Sequence, residues 1–141
     1  MKIRKANQKD AEAIAALLEQ LGYSGTQTYL AERIKLLAGD SGEELVVGDE
    51  NGRVVAVLSL HFIPQLAVDG LFARISYLCV QEGVRSKGIG RQLEEYAEET
   101  ARARGCDRIE LHCHGRRIDA HRFYTRQGYE DSPKYFMKKL K

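Results

Sequence analysis

Residues 78–93 read LCVQEGVRSKGIGRQL. An apolar, β-branched run from Ile75 to Val80 predicts a strand, and a helical pattern begins directly after the glycine-rich loop that follows it. A strand, a glycine loop and a helix together present several backbone N–H groups to an anion, with the helix dipole behind them. Gly88 and Gly90 let that backbone approach the anion without an intervening Cβ. The loop therefore predicts a phosphate site, and its cations are Arg85, Lys87 and Arg91.

The spacing of the glycines distinguishes between the known phosphate-binding loops. Gly83 and Gly88 have the separation of a Walker loop, but Ile89 stands where that loop requires lysine. The dinucleotide fingerprint would need a third glycine at Leu93, and this loop comes too late in the chain for a first βαβ unit. What remains is the pattern R-x-x-G-x-G over residues 85–90. For those six residues alone, the alternative is a helix start with two turn glycines.

The whole chain limits the classes of protein to which it can belong. At 141 residues it is long enough for one domain, 1–141, with a single core. A net charge of +2 without a run of like charges gives no support for a nucleic-acid partner. No apolar run approaches membrane-spanning length, and no signal-peptide core follows Met1. Three scattered cysteines without a CxxC spacing predict reduced thiols and a cytoplasmic protein; they are Cys79, Cys106 and Cys113.

The periodicity of the apolar residues predicts elements in the order β-α-α-β-β-β-α-β-α-β. Asn51-Gly52 supplies the positive φ angles of a tight hairpin turn, and Asn7 is typical of a helix N-cap. Meandering strands followed by a crossover predict an α/β fold with one mixed, mostly antiparallel sheet and helices on both faces. The predicted strands are Lys2–Ala6, Glu44–Gly48, Arg53–His61, Leu71–Val80, Arg108–His114 and Pro133–Leu140. The predicted helices lie between Asn7 and Gly22, from Leu30 to near Gly39, from the glycine loop to Gly105, and over Ile118–Gln127.

Two motifs in this order resemble those of the GNAT N-acetyltransferases. The first is the acyl-CoA-binding loop, residues 85–90, placed after a strand and before a helix. The second, AHRFYTRQGY over residues 120–129, is similar to the A-x-x-F-Y-x-x-x-G-F/Y segment that ends the family's last helix. The predicted order of elements matches the family over nearly the full chain. More narrowly, residues 60–62, 117–124 and 128–132 resemble the subgroup of aminoalkylphosphonate and aminoglycoside acetyltransferases.

The resemblance implies one GNAT domain whose sheet is splayed at its centre and whose cosubstrate is acetyl-CoA. A primary amine of a small polar molecule would attack the thioester directly, and the N–H near Val80 would face the thioester oxygen. Tyr124 would give a proton to the departing thiolate, because a phenol stays protonated at neutral pH; the alternative is a packed helix tyrosine. The expected CoA-binding residues are Leu78, Cys79, Val80, Arg85, Ser86, Lys87, Gly88, Ile89, Gly90 and Arg91.

Two positions depart from the pattern of the family. Many relatives carry an asparagine where this chain has Arg117. The phosphonate-like subgroup tends to carry a glutamate, suited to deprotonating the amine, where this chain has Tyr77. A water chain, His61 or the loop at residues 22–29 could serve instead, and His61 is preferred. The amine is expected to enter on the side opposite CoA, against the loop at residues 22–29 with Tyr23, against His61 and Tyr77, and against the turn near residues 131–134.

Other classes stay open at this stage. An enzyme of the same fold could use a larger acyl-CoA or a protein amine, and a domain without turnover could bind acyl-CoA as a sensor. His112 and His114 alternate on one predicted strand, but two histidines without a third ligand give no reason to expect a metal. The expected partner is a small-molecule amine, without nucleic acid or membrane, and a homodimer is left open. Four arginines could hold an anionic group of the acceptor or of CoA, or could be solvated: Arg116, Arg117, Arg122 and Arg126.

Overall fold

A computed structural model describes residues 1–84, 87–113, 117–131 and 136–141. The chain divides into two units, Met1–Glu110 and Leu111–Lys141. Among the described residues, no helix is both long enough and apolar enough to cross a bilayer. The elements are β1 (Lys2–Lys5), α1 (Ala11–Gln20), α2 (Leu30–Ala38), β2 (Glu43–Glu50), β3 (Arg53–Pro64), β4 (Leu71–Val80), α3 (Ile89–Ala103), β5 (Cys106–Leu111) and α4 (Ile118–Arg126).

Five strands form one sheet in the order β1-β2-β3-β4-β5. The first three neighbouring pairs are antiparallel, and the Asn51-Gly52 turn between β2 and β3 has the predicted positive φ angles. β4 and β5 run in the same direction. A Cβ on Gly70 would lie 2.5 Å from the carbonyl oxygen of Gly105, and further along both strands Arg74 donates to Glu110 at 3.0 Å. The predicted mixed, mostly antiparallel sheet is confirmed.

A β-bulge lies in the second half of β4. Ser59 of β3 pairs with Tyr77, but the next residue, Leu60, pairs with Ile75, so Ser76 is an extra residue in β4. A bulge bends its strand and increases the local twist. Arg74 lies beside Glu110, and β5 ends one residue later, at Leu111, so its end is level with Ile75. The remainder of β4 therefore continues beyond the end of its neighbour, as the splay implied by the family resemblance requires.

A second bulge lies near the start of β3. Asp49 of β2 pairs with Val54, whereas Gly48 pairs with Ala56, so Val55 is an extra residue in β3. Val55 has no partner in β2, and it is buried like Ala56, which follows it. From the pair of Gly48 and Ala56 onwards, the bulge shifts the pairing of β2 with β3 by one residue. It thereby determines which side chains of the two strands stand opposite each other.

Helices cover both faces of the sheet. On one face, Leu17 of α1 packs with Val57 and Cys79 in the apolar cluster that also contains the buried residues of α2. On the other face, the Tyr96 hydroxyl of α3 donates to Glu44 of β2. Covering both faces buries β3 from Val55 to Leu60, and each fully buried aliphatic side chain contributes about 1.5–3 kcal/mol.

The second unit contains α4, which ends where the sequence predicts. Gly128 follows the helix with φ of 92°, a conformation that favours glycine, and the Tyr129 N–H donates to the Tyr124 carbonyl at 3.0 Å. Arg117 precedes the first turn and makes no capping hydrogen bond through its side chain. The predicted helix Ile118–Gln127 is thus present and ends one residue earlier, at Arg126.

Two predicted strands at the C-terminal end require correction. The strand expected at Arg108–His114 is β5, Cys106–Leu111; His112 follows it, and His114 lies outside the described residues. Of the strand expected at Pro133–Leu140, residues 133–135 also lie outside the described residues, while residues 136–140 are not in a strand. Their apolar side chains are exposed, so the segment lacks the buried face that stabilises a strand.

A buried carboxyl group on α3 opposes the stability of this fold. The side chain of Glu94 is fully buried, and no donor from the described residues reaches either of its carboxylate oxygens. Burial, followed by the neighbouring carboxylates of Glu98 and Glu95, raises the pKa of Glu94 to about 8. The folded state therefore holds a proton that the unfolded state has already lost at neutral pH.

We expect Glu94→Leu to raise the free energy of unfolding, and to raise it more at pH 8 than at pH 5. Below its ordinary pKa the group is neutral in both states, so its penalty grows as pH rises from there to about 8, by about 1.4 kcal/mol per pH unit. Urea unfolding at the two pH values measures the difference. Glu99→Leu, at an exposed position of the same helix, is the matched control. An equal effect of Glu94→Leu at both pH values would contradict the raised pKa.

Candidate active site

Two glycines shape the described part of the loop after β4, and Gly90 lies in the first turn of α3. The chain leaves the sheet through a bond from the Gln81 N–H to the Val55 carbonyl, at 2.8 Å. It then turns at Gly83, with φ of 88°, and again at Gly88, with φ of 76°. Both values lie in the left-handed region that favours glycine. Arg85 and Ser86 lie outside the described residues, so their predicted contacts stay predictions.

The N-terminus of α3 is open to an anion. Gly88 is its N-cap and has no side chain to cap the helix, and the Gln92 N–H donates to the Gly88 carbonyl at 3.1 Å. The N–H groups of residues 89–91 therefore precede the first intrahelical bond. No acidic residue lies in the first turn. Lys87 is exposed, and Arg91 points its guanidinium at Glu95, 2.9 Å away. The dipole, the N–H groups and the cations all favour a bound anion.

The end of β4 carries the next three predicted CoA-binding residues. Leu78 and Val80 pair with Leu58 and Ala56 of β3, and their side chains are partly buried. Cys79 points to the opposite face, where it is buried and its Sγ donates to the Leu17 carbonyl at 3.1 Å. Its thiol is therefore part of the packing under α1. The predicted pairing of this strand end with the pantetheine arm stays a prediction.

Two of the predicted acceptor residues meet beside the β4 bulge. Tyr23, in the loop between α1 and α2, places its ring edge-on to that of Tyr77, with centroids 5.5 Å apart. Both rings are partly exposed, and burial raises the pKa of Tyr77, so the phenol is neutral at physiological pH. Tyr29 of the same loop also faces this side and lies under the Arg33 guanidinium, 5.3 Å from ring centroid to Cζ.

Arg33 was not identified from the sequence. It is exposed, and within the described residues it forms no ion pair with a carboxylate, so its charge is available beside the tyrosine rings. Its helical position alone resembles the solvated face of α2. Tyr29 is four residues before it and therefore lies beside it on the helix, whereas only the fold brings both to Tyr77. We call Tyr23, Tyr29, Tyr77 and Arg33 the tyrosine cluster.

The third predicted acceptor residue, His61, belongs to a row of charged side chains. Glu43 of β2 stands opposite His61, and His61 stands opposite Arg74 of β4. The Glu43 carboxylate contacts His61 Nδ1, and Arg74 donates to Glu110 of β5. These four side chains, the charged row, lie on the face of the sheet that carries Tyr77. Sequence analysis missed Glu43, Arg74 and Glu110, since their pairing depends on strand register.

Tyr124 lies in the second unit, on α4. Its ring packs against two other rings, those of Phe123, at 5.1 Å between centroids, and Tyr129, at 5.5 Å. The side chain is partly buried. The motif that the sequence identifies thus forms a local aromatic cluster at the end of the helix, and the catalytic role of Tyr124 stays a prediction.

The structure gives no metal site in the part of the chain that it describes. There, no group of three or more His, Cys, Asp or Glu side chains is placed to hold an ion. The structure places none of the three cysteines, Cys79, Cys106 and Cys113, in a disulfide. The pair of His112 and His114 that the sequence raised as a candidate includes a residue outside the described ranges.

Comparison with known proteins identifies the family. The sequence profile of the acetyltransferase (GNAT) family matches residues 11–129. The chain is 35% identical to an aminoalkylphosphonate N-acetyltransferase of Salmonella typhimurium, over 98% of this chain and 90% of that protein. A crystal structure described as a transcriptional regulator from Bacillus halodurans superposes with a TM-score of 0.90, at 27% identity and 99% coverage of both chains. An aminoglycoside N-acetyltransferase in complex with CoA shares the fold, with a TM-score of 0.85 at 13% identity, over 98% of this chain and 93% of that one. The chain belongs to the GNAT family of acetyltransferases.

Proposed function

We propose that this acetyltransferase moves the acetyl group of acetyl-CoA to a primary amine of a small polar molecule in the cytoplasm. The observation that carries the proposal is the open, glycine-capped start of α3 directly after β4, in a chain whose relative acetylates aminoalkylphosphonates according to its name. The amine attacks the thioester carbon directly. The absence of a disulfide among the three cysteines supports a reducing compartment.

The pyrophosphate of CoA binds at the loop and at the first turn of α3. Its charge is met by the N–H groups of Ile89, Gly90 and Arg91 and by the dipole of a helix of 15 residues. Lys87, Arg91 and, from the motif, Arg85 add positive charge, while Ser86 adds a hydroxyl donor. The strand end at residues 78–80 receives the pantetheine arm through its backbone.

Two groups lower the barrier to transfer. A backbone N–H near Val80 donates to the thioester oxygen, and such a preset donor contributes about 2.7–4 kcal/mol in comparable oxyanion sites. Tyr124 gives its hydroxyl proton to the departing sulfur, a role that rests on the motif at the end of α4. A phenol suits this task because it is protonated at neutral pH and its conjugate base accepts the proton that the nitrogen loses.

The acceptor binds at the tyrosine cluster and the charged row. Tyr23 and Tyr77 supply flat surfaces and hydroxyl groups, which suit a small polar molecule. Arg33 is a cation without a carboxylate partner in the described part of the chain, so it favours an acceptor that also carries an anionic group. A phosphonate or carboxylate on the amine meets this requirement, and the named substrate class of the Salmonella typhimurium relative supports it.

A thiol-release assay over a matrix of donors and acceptors tests the proposal. The donors are acetyl-, propionyl- and hexanoyl-CoA; the acceptors are aminomethylphosphonate, glycine, ethanolamine, an aminoglycoside and a lysine peptide. We expect fastest release with acetyl-CoA and a small amine that bears an anionic group. Preference for hexanoyl-CoA or for the peptide would replace the proposed substrates, and CoA binding without release by any acceptor would indicate a sensor.

We expect Gly88→Val to weaken acetyl-CoA binding at least tenfold. A branched Cβ would occupy the open space in front of the helix N-terminus, where the pyrophosphate approaches. The matched control is Gly105→Val, because Gly105 has nearly the same φ, 74° against 76°, and equally open surroundings. Both changes should cost about 1–2 kcal/mol of stability through left-handed strain. Isothermal titration with acetyl-CoA separates them, and equal loss of affinity in both variants would argue against a phosphate at Gly88.

We expect Tyr124→Phe to lower kcat by about 100-fold or more and to leave the Kd for acetyl-CoA nearly unchanged. Only the proton donor is removed, while the ring that packs against Phe123 and Tyr129 is kept. Pre-steady-state rates identify the chemical step. Phe123→Leu is the control for a disturbed aromatic cluster. A kcat equal to that of the wild type, with chemistry rate-limiting, would remove Tyr124 from the mechanism.

We expect Arg33→Gln to raise the KM of aminomethylphosphonate about tenfold, equivalent to about 1.4 kcal/mol, with little change for ethanolamine or acetyl-CoA. Only the phosphonate can pair with the guanidinium. Tyr23→Ala, which removes the ring that lies edge-on to Tyr77, should raise the KM of both amines. Lys35→Gln, an exposed change of the same charge on α2, is the control. A rise confined to the KM of acetyl-CoA would place CoA, and not the amine, at the tyrosine cluster.

A further inference from the structure

We propose that His61, oriented by Glu43, accepts the proton that the acceptor's ammonium group must lose before it can attack. The inference rests on the proposed function and assigns a proton acceptor to a chain in which Tyr77 stands where related enzymes tend to have a glutamate. His61 is then a catalytic residue, and Glu43 is a positioning residue that acts through it.

The contact between the two side chains fixes the form of the imidazole. Glu43 and His61 are directly opposite in the β2–β3 ladder, where side chains on one face are neighbours. The Glu43 carboxylate contacts Nδ1 of His61. Because a carboxylate only accepts hydrogen bonds, Nδ1 carries the hydrogen of the neutral ring. The lone pair of that ring is therefore on Nε2, which is the atom that can take a proton.

The pair is positioned for use by a ligand. The His61 side chain is 26% exposed and that of Glu43 is 21% exposed, so the pair is held firmly without being sealed from the surface. His61 is two residues from Ser59, the partner of Tyr77, and all three point to the same face. Same-face neighbours along a strand are about 7 Å apart. An amine seated at Tyr77 would therefore lie on the same face of the sheet as His61, about two strand positions away.

The charged groups around His61 have opposite effects on an imidazolium at that position. The titratable and charged groups beside it in the sheet are Glu43 from β2, Arg74 and Tyr77 from β4 and, beyond Arg74, Glu110 from β5. The loop and helix over the same face bring Tyr23, Tyr29 and Arg33 to Tyr77. Glu110 holds Arg74 at 3.0 Å and offsets its charge. Glu43 favours the imidazolium that forms on proton transfer, whereas Arg74 opposes it.

The acceptor nitrogen loses two protons in each acetyl transfer. The ammonium gives one proton to Nε2, leaving a neutral amine and an imidazolium. The nitrogen lone pair forms the C–N bond to the thioester carbon. The C–S bond then breaks, and the sulfur leaves with the electron pair of the C–S bond and takes a proton from Tyr124. The second proton lost by the nitrogen returns to that acid, and the imidazolium releases its proton to water. One proton is released per acetyl group transferred.

The test is the pH dependence of kcat/KM for aminomethylphosphonate at saturating acetyl-CoA. We expect the wild-type value to fall at low pH, as His61 becomes protonated. His61→Gln should lower kcat/KM at pH 7 by about 100-fold or more and remove this limb, with recovery towards high pH where the amine is itself deprotonated. Added imidazole should partly rescue His61→Ala. Glu43→Gln should lower kcat/KM less and move the limb to lower pH, since the imidazolium loses its carboxylate.

Glu99→Gln is the control, because it removes an exposed carboxylate from α3, the helix on the face of the sheet opposite to His61. It should leave the position of the limb close to that of the wild type, and circular dichroism should show all variants folded. Turnover by His61→Gln within twofold of the wild type, or an unchanged acidic limb, would overturn this inference alone. A wild-type protein that releases no thiol with any acceptor would overturn the proposed function and this inference together.

Discussion

The register of β3 against its two neighbours is the constraint on which the rest of the structure depends. β3 is buried on both faces from Val55 to Leu60, so every side chain along it must face either the α1 and α2 side or the α3 side. One face receives the apolar cluster and, further along, the charged row and Tyr77. The other receives α3, whose first turn faces the proposed phosphate. A slip of one residue would exchange the two sets of side chains.

Local sequence rules account for the elements and for the loop. Asn51-Gly52 forms the hairpin turn because both residues adopt positive φ, and Asn7 caps the first helical turn because its side chain accepts from the Lys9 N–H at 2.9 Å. The glycine loop after β4 could also be predicted, since glycine is the residue that allows the left-handed angle at Gly88. Each of these features depends on residues close together in the chain.

Register could not be predicted in the same way. A regular hairpin counted from Asn51-Gly52 would place Glu43 opposite Leu60, on the face that α3 covers. The extra residue Val55 moves it opposite His61 instead, and no local pattern in an apolar run reveals that bulge. Arg33 was missed for a related reason. Its position on α2 fits a solvated face. Tyr29 lies beside it by helical spacing, but only the packing of the loop between α1 and α2 on β4 adds Tyr23 and Tyr77 to the same place.

The bulge at Ser76 is required for the bend in β4 but not for the pairing of β4 with β3. A chain shortened by this residue could keep every pair between β3 and β4, since Tyr77 would still meet Ser59 and Ile75 would still meet Leu60. What it would lose is the bend in β4. The Ser76 side chain is exposed, so a substitution there changes few contacts, whereas deleting the residue removes the bulge itself. A lineage could thus retain the scaffold and lose the proposed opening for pantetheine through a single codon deletion.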